Sequence, residues 1–224
     1  MWYNVWTVRT TLFAPGEHYH ILNRGNNKQL IFHDDRDRAR FLFSLLYFQG
    51  SDTFANINRI VSRFARQQTF TVPQATKEGQ VKLVNFCLMS THFHDTVAET
   101  SEGGTSAYMQ RVLNSYTKYF NTKYDQSGHL FQGPFKAVPV MDNEQLLYLS
   151  AYIHRNPREI REWYKRESEY PWSSYQDYTT KNRWGNLLHN EIILSQFKSP
   201  DVYAKFLEES VAKERDLIEE HTDL

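Results

Sequence analysis

The spacing of apolar positions changes several times along this chain, and each change marks an element. Residues 17 to 23 alternate, with aromatic and β-branched content, and run into Asn23-Arg24-Gly25, which predicts a strand entering a turn. Phe41, Leu42, Leu45, Leu46 and Phe48 then recur at helical spacing behind Asp34 and Asp35, two residues suited to cap a helix, and Gly50 is a fitting stop. Residues 54 to 67 read as a shorter helix with Ile57, Ile60, Val61 and Phe64 on one face and Arg59, Arg63 and Arg66 on another. Residues 71 to 79 read as loop. Two strand-like runs, 81 to 89 and 92 to 98, are separated only by Ser90-Thr91, which predicts a tight hairpin. A long helix capped by Thr105 or Ser106 reaches about Tyr124, with Met109, Val112, Leu113, Tyr116 and Phe120 on its core stripe. Residues 135 to 141 form a last strand. Asp142 caps a helix whose buried stripe is Leu146, Leu149 and Ile153, and Pro157 ends it at Asn156.

This order predicts an α+β fold, a ferredoxin-like antiparallel sheet with helices on one face, a helical insertion at about 51–80 and a C-terminal helical extension. The other sheet face is expected to be open. A hydrophobic content of 40% in 224 residues is enough for a packed core. The single cysteine, Cys87, excludes an internal disulfide and a cysteine-based zinc site. No apolar run has the length of a signal peptide or a membrane span, so a cytosolic location is expected, with the nucleoid when bound to DNA, and no membrane partner.

Net charge is zero, but its distribution is uneven. Residues 201–224 hold eight acidic and three basic side chains, which leaves residues 1–200 at +5. A basic body with an acidic tail is compatible with a polyanionic partner. Val202, Tyr203, Phe206, Leu207, Val211, Leu217 and Ile218 lie among those acids, which predicts an amphipathic tail helix.

The chemistry concentrates in two short segments. In His92-Phe93-His94, strand alternation points both imidazoles to one side, where they can reach one divalent cation. In Tyr152-Ile153-His154-Arg155-Asn156, the tyrosine and the asparagine lie four apart on one helix face, a nucleophile and an oxygen donor together. Tyr148, one turn earlier, is a rival nucleophile. Candidate phosphate contacts are Arg24 and Lys28 after the first strand, Lys118 and Lys123 on the long helix, and Lys136 and Arg155 near the site. Gln132 is placed to touch a base.

These segments stand in a longer series of motifs. Gly16-Glu17-His18-Tyr19-His20-Ile21-Leu22-Asn23-Arg24-Gly25 comes first, and Phe86-Cys87-Leu88-Met89 precedes the histidine pair. Ser127-Gly128-His129-Leu130-Phe131-Gln132-Gly133 and Pro171-Trp172-Ser173-Ser174-Tyr175 follow it. In this order the chain resembles the single-tyrosine HUH transposases of the IS200-like superfamily, most closely the REP-associated tyrosine transposases. The resemblance covers about residues 13–180 and leaves 181–224 as an extension. It implies Tyr152 as nucleophile in preference to Tyr148, because the family's tyrosine precedes an aliphatic, two further residues and Asn-Pro. It also implies His92, His94 and Asn156 as ligands of Mg²⁺ or Mn²⁺, and single-stranded or hairpin DNA as partner, with the protein a monomer or a homodimer. The implied activity is strand transfer through a covalent 5′-phosphotyrosine. The alternatives are a domesticated hairpin-binding protein that cuts poorly, and a rolling-circle or relaxase endonuclease.

Three departures from the family pattern stand out. Ser90-Thr91 replaces Pro-Asn before the histidine pair, Asp95-Thr96 replaces an aliphatic pair after it, and Pro134 replaces a basic residue. Alternation places Asp95 opposite the histidines, where a carboxylate is costly unless paired or protonated. Either the strand is locally exposed there or the fold is weakened.

Overall fold

The computed structural model describes residues 11–50, 54–67 and 79–212. The elements run β1 (His18–Arg24), α1 (Asp35–Tyr47), α2 (Ile57–Gln67), β2 (Val81–Leu88), β3 (His92–Glu99), α3 (Gly104–Tyr124), β4 (Lys136–Val140) and α4 (Asn143–Arg155). Short helical turns lead on to α5 (Tyr175–Thr179), α6 (Glu191–Leu194) and α7 (Pro200–Glu209). The four strands make one antiparallel sheet in the order β2-β3-β1-β4. Most of the expected 71–79 loop, the side chain of Arg66 and the tail beyond Ala212 lie outside the described residues.

Local chemistry accounts for most boundaries. Asp34 caps α1 by accepting from the Asp37 amide at 2.9 Å, and the Asp37 carboxylate answers the Asp34 amide in a capping box. The Asp142 carboxylate caps α4 through the Gln145 amide at 2.7 Å. β2 and β3 close on Ser90-Thr91 with paired bonds between Met89 and His92. α3 departs from expectation at its start. Neither Thr105 nor Ser106 caps it; Gly103 does, at φ 72°, and the Glu99 carboxylate at the end of β3 accepts from the Thr105 amide at 3.1 Å. The next residue must also be glycine, because a Cβ at Gly104 would lie 2.2 Å from the Gln80 carbonyl oxygen.

The sheet is covered on both faces, in place of the open face expected from the element order. Phe93 of β3 packs on Phe41 of α1 with ring centroids 4.8 Å apart, so α1 and α3 cover one side. On the other side α4 crosses β4, β3 and β2. His154 of α4 holds it there: its Nδ1 lies 2.7 Å from the Tyr203 hydroxyl of α7 and its Nε2 lies 2.8 Å from the Ser174 hydroxyl. Ser174 is itself tied to β2 through the Phe86 amide at 2.9 Å. Burial without a charged partner pushes the His154 imidazole down to about 3, so it is neutral in the native state. The C-terminal segment is thus part of what fixes α4. Of the expected tail helix, α7 is described, capped by Ser199, with Tyr203 and Leu207 buried.

Asp95 is completely buried among the α1–α3 core residues, opposite Ile21 and Phe86 in the ladders, and neither carboxyl oxygen has a hydrogen-bond partner. The strand is therefore not locally exposed. Burial raises its pKa well above the usual carboxylate value, so the protonated acid is the form that folds. The sign follows directly. A proton held by the native state and not by the unfolded chain stabilises below the unfolded pKa, and that stability is lost as pH rises toward the folded pKa. Asp95→Leu is expected to raise the denaturation midpoint at pH 7. Its advantage over the parent should shrink by about 1.4 kcal/mol per pH unit as the pH is lowered toward about 4. Urea titrations across that range check it, and a gain independent of pH would show that the carboxyl is ionised in the fold.

Candidate active site

The site lies between β1, β3 and α4. Alternation along β3 sends Phe93, Asp95 and Val97 into the α1–α3 core, and His92, His94 and Thr96 to the α4 side. The two histidine rings have centroids 5.2 Å apart at 86°. In each ring Nδ1 has a neighbour: the Thr91 hydroxyl at 3.0 Å for His92, and His20 Nε2 at 2.9 Å for His94. Holding one ring nitrogen fixes ring orientation, as the outer-shell partners of metal-ligating histidines do.

His20 carries no role in the motif reading, and the structure brings it to the centre of the site. It pairs across to Thr96, stacks on His94 with centroids 5.1 Å apart, and meets the edge of Tyr152 at 5.8 Å. The only signal in the sequence was the alternation of His18 and His20 on the first strand. Register between β1 and β3 decides which histidine neighbours His94, and local pattern does not contain it.

Tyr152 is half-buried on α4, with its ring 5.5 Å from that of His94 at 89°. A cavity of about 230 Å³ opens beside it, lined by His20, Val138, Val140, Tyr148 and Leu149 among others. Tyr148 borders the same cavity toward β4, whereas the ring contacts of Tyr152 are with the histidines. One turn on, Asn156 is buried and donates through Nδ2 to the Tyr152 carbonyl at 2.9 Å. Its Oδ1 is buried with no hydrogen-bond partner. A buried amide oxygen without a hydrogen-bond partner, on the helix that carries Tyr152, is a donor type that a small divalent cation accepts alongside imidazole nitrogens. Among the described residues no group of three or more His, Cys, Asp or Glu side chains is placed to hold a metal. A third donor would therefore be the amide.

The proposed phosphate contacts separate into two sets. Arg24, Lys28, Gln132 and Lys136 are exposed around the His92 end of the sheet: Arg24 pairs with His92, Lys136 pairs with Leu22, and the Gln132 amide donates to the Arg24 carbonyl at 2.9 Å. The others are not placed as expected. Lys118 and Lys123 lie on α3, across the sheet from Tyr152. The Lys123 ammonium is 2.7 Å from both Asp34 and Asp37, and these carboxylates keep it firmly charged, overcoming the opposing effect of desolvation. Arg155 is 2% exposed on α4, so its guanidinium is not presented at the surface.

Comparison with known proteins follows these lines. The family model described as "Transposase IS200 like" matches residues 57–156. A comparison with curated proteins found no match. Among solved structures, a REP-associated tyrosine transposase bound to a REP hairpin is similar, with a TM-score of 0.51 and 12% identity over 79% of this chain and 86% of that one. At that identity the likeness is one of fold. The fold is shared with that structure, and the IS200-like transposase match spans the segment that carries His92, His94, Tyr152 and Asn156.

Proposed function

We propose that this protein is a metal-dependent single-stranded DNA endonuclease and strand transferase acting on hairpin or repetitive extragenic DNA through a covalent 5′-phosphotyrosine. The observation that carries the reading is the placement of Tyr152 against His94 and His20, with the buried, unpartnered Oδ1 of Asn156 one turn away. His92, His94 and Asn156 would hold the cation. Bound there, Mg²⁺ or Mn²⁺ supplies Lewis-acid stabilisation of the phosphate oxygens. Tyr152 supplies the nucleophile: its phenolic oxygen bonds to phosphorus and the bond from phosphorus to the 3′ oxygen breaks. The phenol loses its proton and the released 3′ oxygen gains one, so strand joining by reversal needs no nucleotide hydrolysis. His20 acts as a positioning residue, holding the His94 ring through its Nδ1. Arg24 and Lys136, exposed at the His92 end of the sheet, contact phosphates of the bound strand in this reading.

Asp95 was the ground for a binding-only alternative. Its carboxyl lies on the opposite face of the sheet from Tyr152, so its cost falls on stability and leaves the site geometry intact.

Incubation with single-stranded and hairpin oligonucleotides, followed by denaturing gels, tests the reading. A covalent protein–DNA band is expected with Mg²⁺ or Mn²⁺, and its loss with chelator, His92→Ala or His94→Ala. His20→Ala is expected to lower adduct formation about 10- to 100-fold, with partial recovery at raised metal concentration, as for loss of a residue that orients a ligand. Chelator-resistant cleavage would contradict the metal assignment.

A further inference from the structure

The Tyr152 pocket is not the largest concavity of the molecule. A groove of about 1340 Å³ runs along the outer face of α3, on the far side of the sheet, and ends at the loop around Gln132. Its lining is mostly neutral. Ser106, Gln110, Asn114, Thr117 and Asn121 recur at three- and four-residue spacing, so one helix face presents a row of neutral hydrogen-bonding side chains. The Gln110 and Asn114 side chains are exposed and make no side-chain hydrogen bond among the described residues. Leu113, Phe131 and Phe135 contribute the apolar part of the wall. No carboxylate lines the groove, and its one Lys or Arg is Lys118.

A groove for phosphates would be lined by cations. This one offers amides, which both donate and accept, beside aromatic and aliphatic surface. That combination suits the edges and faces of nucleobases, since Asn and Gln pair with adenine through two hydrogen bonds and rings accept stacking. Its position favours the same occupant. Asn26 and Gln132 line the mouth of the groove, and both are bonded to backbone beside the first sheet strand: the Asn26 amide to the Leu130 carbonyl at 2.8 Å, and the Gln132 amide to the Arg24 carbonyl. Arg24 in turn pairs with His92. A strand leaving the cleavage site past Arg24 therefore meets this mouth first. At the far end Lys118 also borders a second, cationic groove of about 780 Å³ that contains Arg36, Arg40 and Arg59 and no carboxylate, where phosphates of the same strand would continue.

We infer that the α3 groove reads the bases of a single-stranded DNA segment flanking the cleavage site, with Gln110 and Asn114 as its specificity-determining residues. The inference rests on the DNA strand-transfer reading and adds to it the surface that chooses the sequence.

The test uses the full chain and a pool of hairpin oligonucleotides with a randomised single-stranded flank, selected by binding. The parent should enrich particular bases at a few flank positions. Gln110→Ala and Asn114→Ala should relax discrimination at one or two of them by about tenfold, the effect of losing one bidentate base contact. The salt dependence of affinity should stay unchanged, because no phosphate contact is removed. Asn114→Asp keeps the shape but only accepts, so it should shift the preferred base at one position, which a purely structural role would not do. Unchanged base preferences in all three variants, or a uniform loss of affinity with a shallower salt slope, would overturn the inference. Both side chains are exposed, and a circular-dichroism melt verifies folding. Adduct formation by the parent is scored separately. Its absence overturns strand transfer, while the base preferences report on the groove alone.

Discussion

Tyr152→Phe should give a protein that folds, binds hairpin DNA and forms no covalent adduct. The substitution deletes one hydroxyl and preserves the ring that meets His94 and His20, so packing in the site is retained. Loss of a sole nucleophile removes the covalent step altogether, and a fall of at least about 10⁴-fold in adduct rate is expected, comparable to nucleophile deletions in other covalent enzymes. Tyr148→Phe should leave the adduct near the parental level. Tyr148 borders the same cavity and is the internal control. Adduct formation by the Tyr152 variant, with loss in the Tyr148 variant, would transfer the role to the rival. Affinity for an uncleavable hairpin should be the same for the parent and both variants.

The second large effect concerns the helix that carries the nucleophile. His154→Ala should destabilise the protein by about 3–5 kcal/mol, because it empties a buried volume and leaves the Tyr203 and Ser174 hydroxyls short of a partner. The same residue sets an acid limit. With its pKa depressed to about 3 in the fold, against a usual 6.5, His154 stays neutral where the unfolded chain is already protonated. Stability conferred by a depressed base is present above the unfolded pKa and lost as pH falls through the window between the two values. Between pH 6.5 and 4 that loss is about 3 kcal/mol. Asp95 has the opposite slope over part of the same range, since its raised pKa favours the fold as pH falls. The parent should therefore lose less stability on acidification than Asp95→Leu, in which the His154 slope is uncovered. Denaturant titrations of both proteins at several pH values check this, and a flat profile in Asp95→Leu would mean that His154 is protonated in the fold.

Much of this architecture was legible because it is local. The Asp34 and Asp142 caps and the two-residue hairpin at Ser90-Thr91 each depend on neighbours within four residues, whereas Asn156 keeps helical angles ahead of Pro157 and α4 runs on into a short helical turn, Asn156–Glu159. The pairing of His92 with His94 on one face needed only strand alternation. What was not legible depends on contacts between distant segments. The place of His20 follows from the β1–β3 register, which spans more than seventy residues. Arg155 reads as a phosphate contact from its place beside the site, yet it is buried in the fold, which packing between segments decides and local sequence does not. Lys123 reads as a phosphate contact until Asp34 and Asp37 are found beside it. The start of α3 misled for a related reason, since Gly103 is its N-cap residue and the Thr105 amide is satisfied by Glu99 on a strand. Strand alternation puts Asp95 where a carboxylate is costly, and its burial without a partner gives that cost a definite place.

The central claim is that Tyr152 becomes covalently joined to DNA, and peptide mapping tests it most directly. The parent protein is incubated with a hairpin oligonucleotide and Mg²⁺, the adduct is digested with protease and nuclease, and the modified peptide is sequenced by mass spectrometry. The account predicts a nucleotide joined through its 5′ phosphate to Tyr152, on the peptide that also contains Asn156. A nucleotide on Tyr148 or any other residue, or cleavage with no modified peptide, would contradict it.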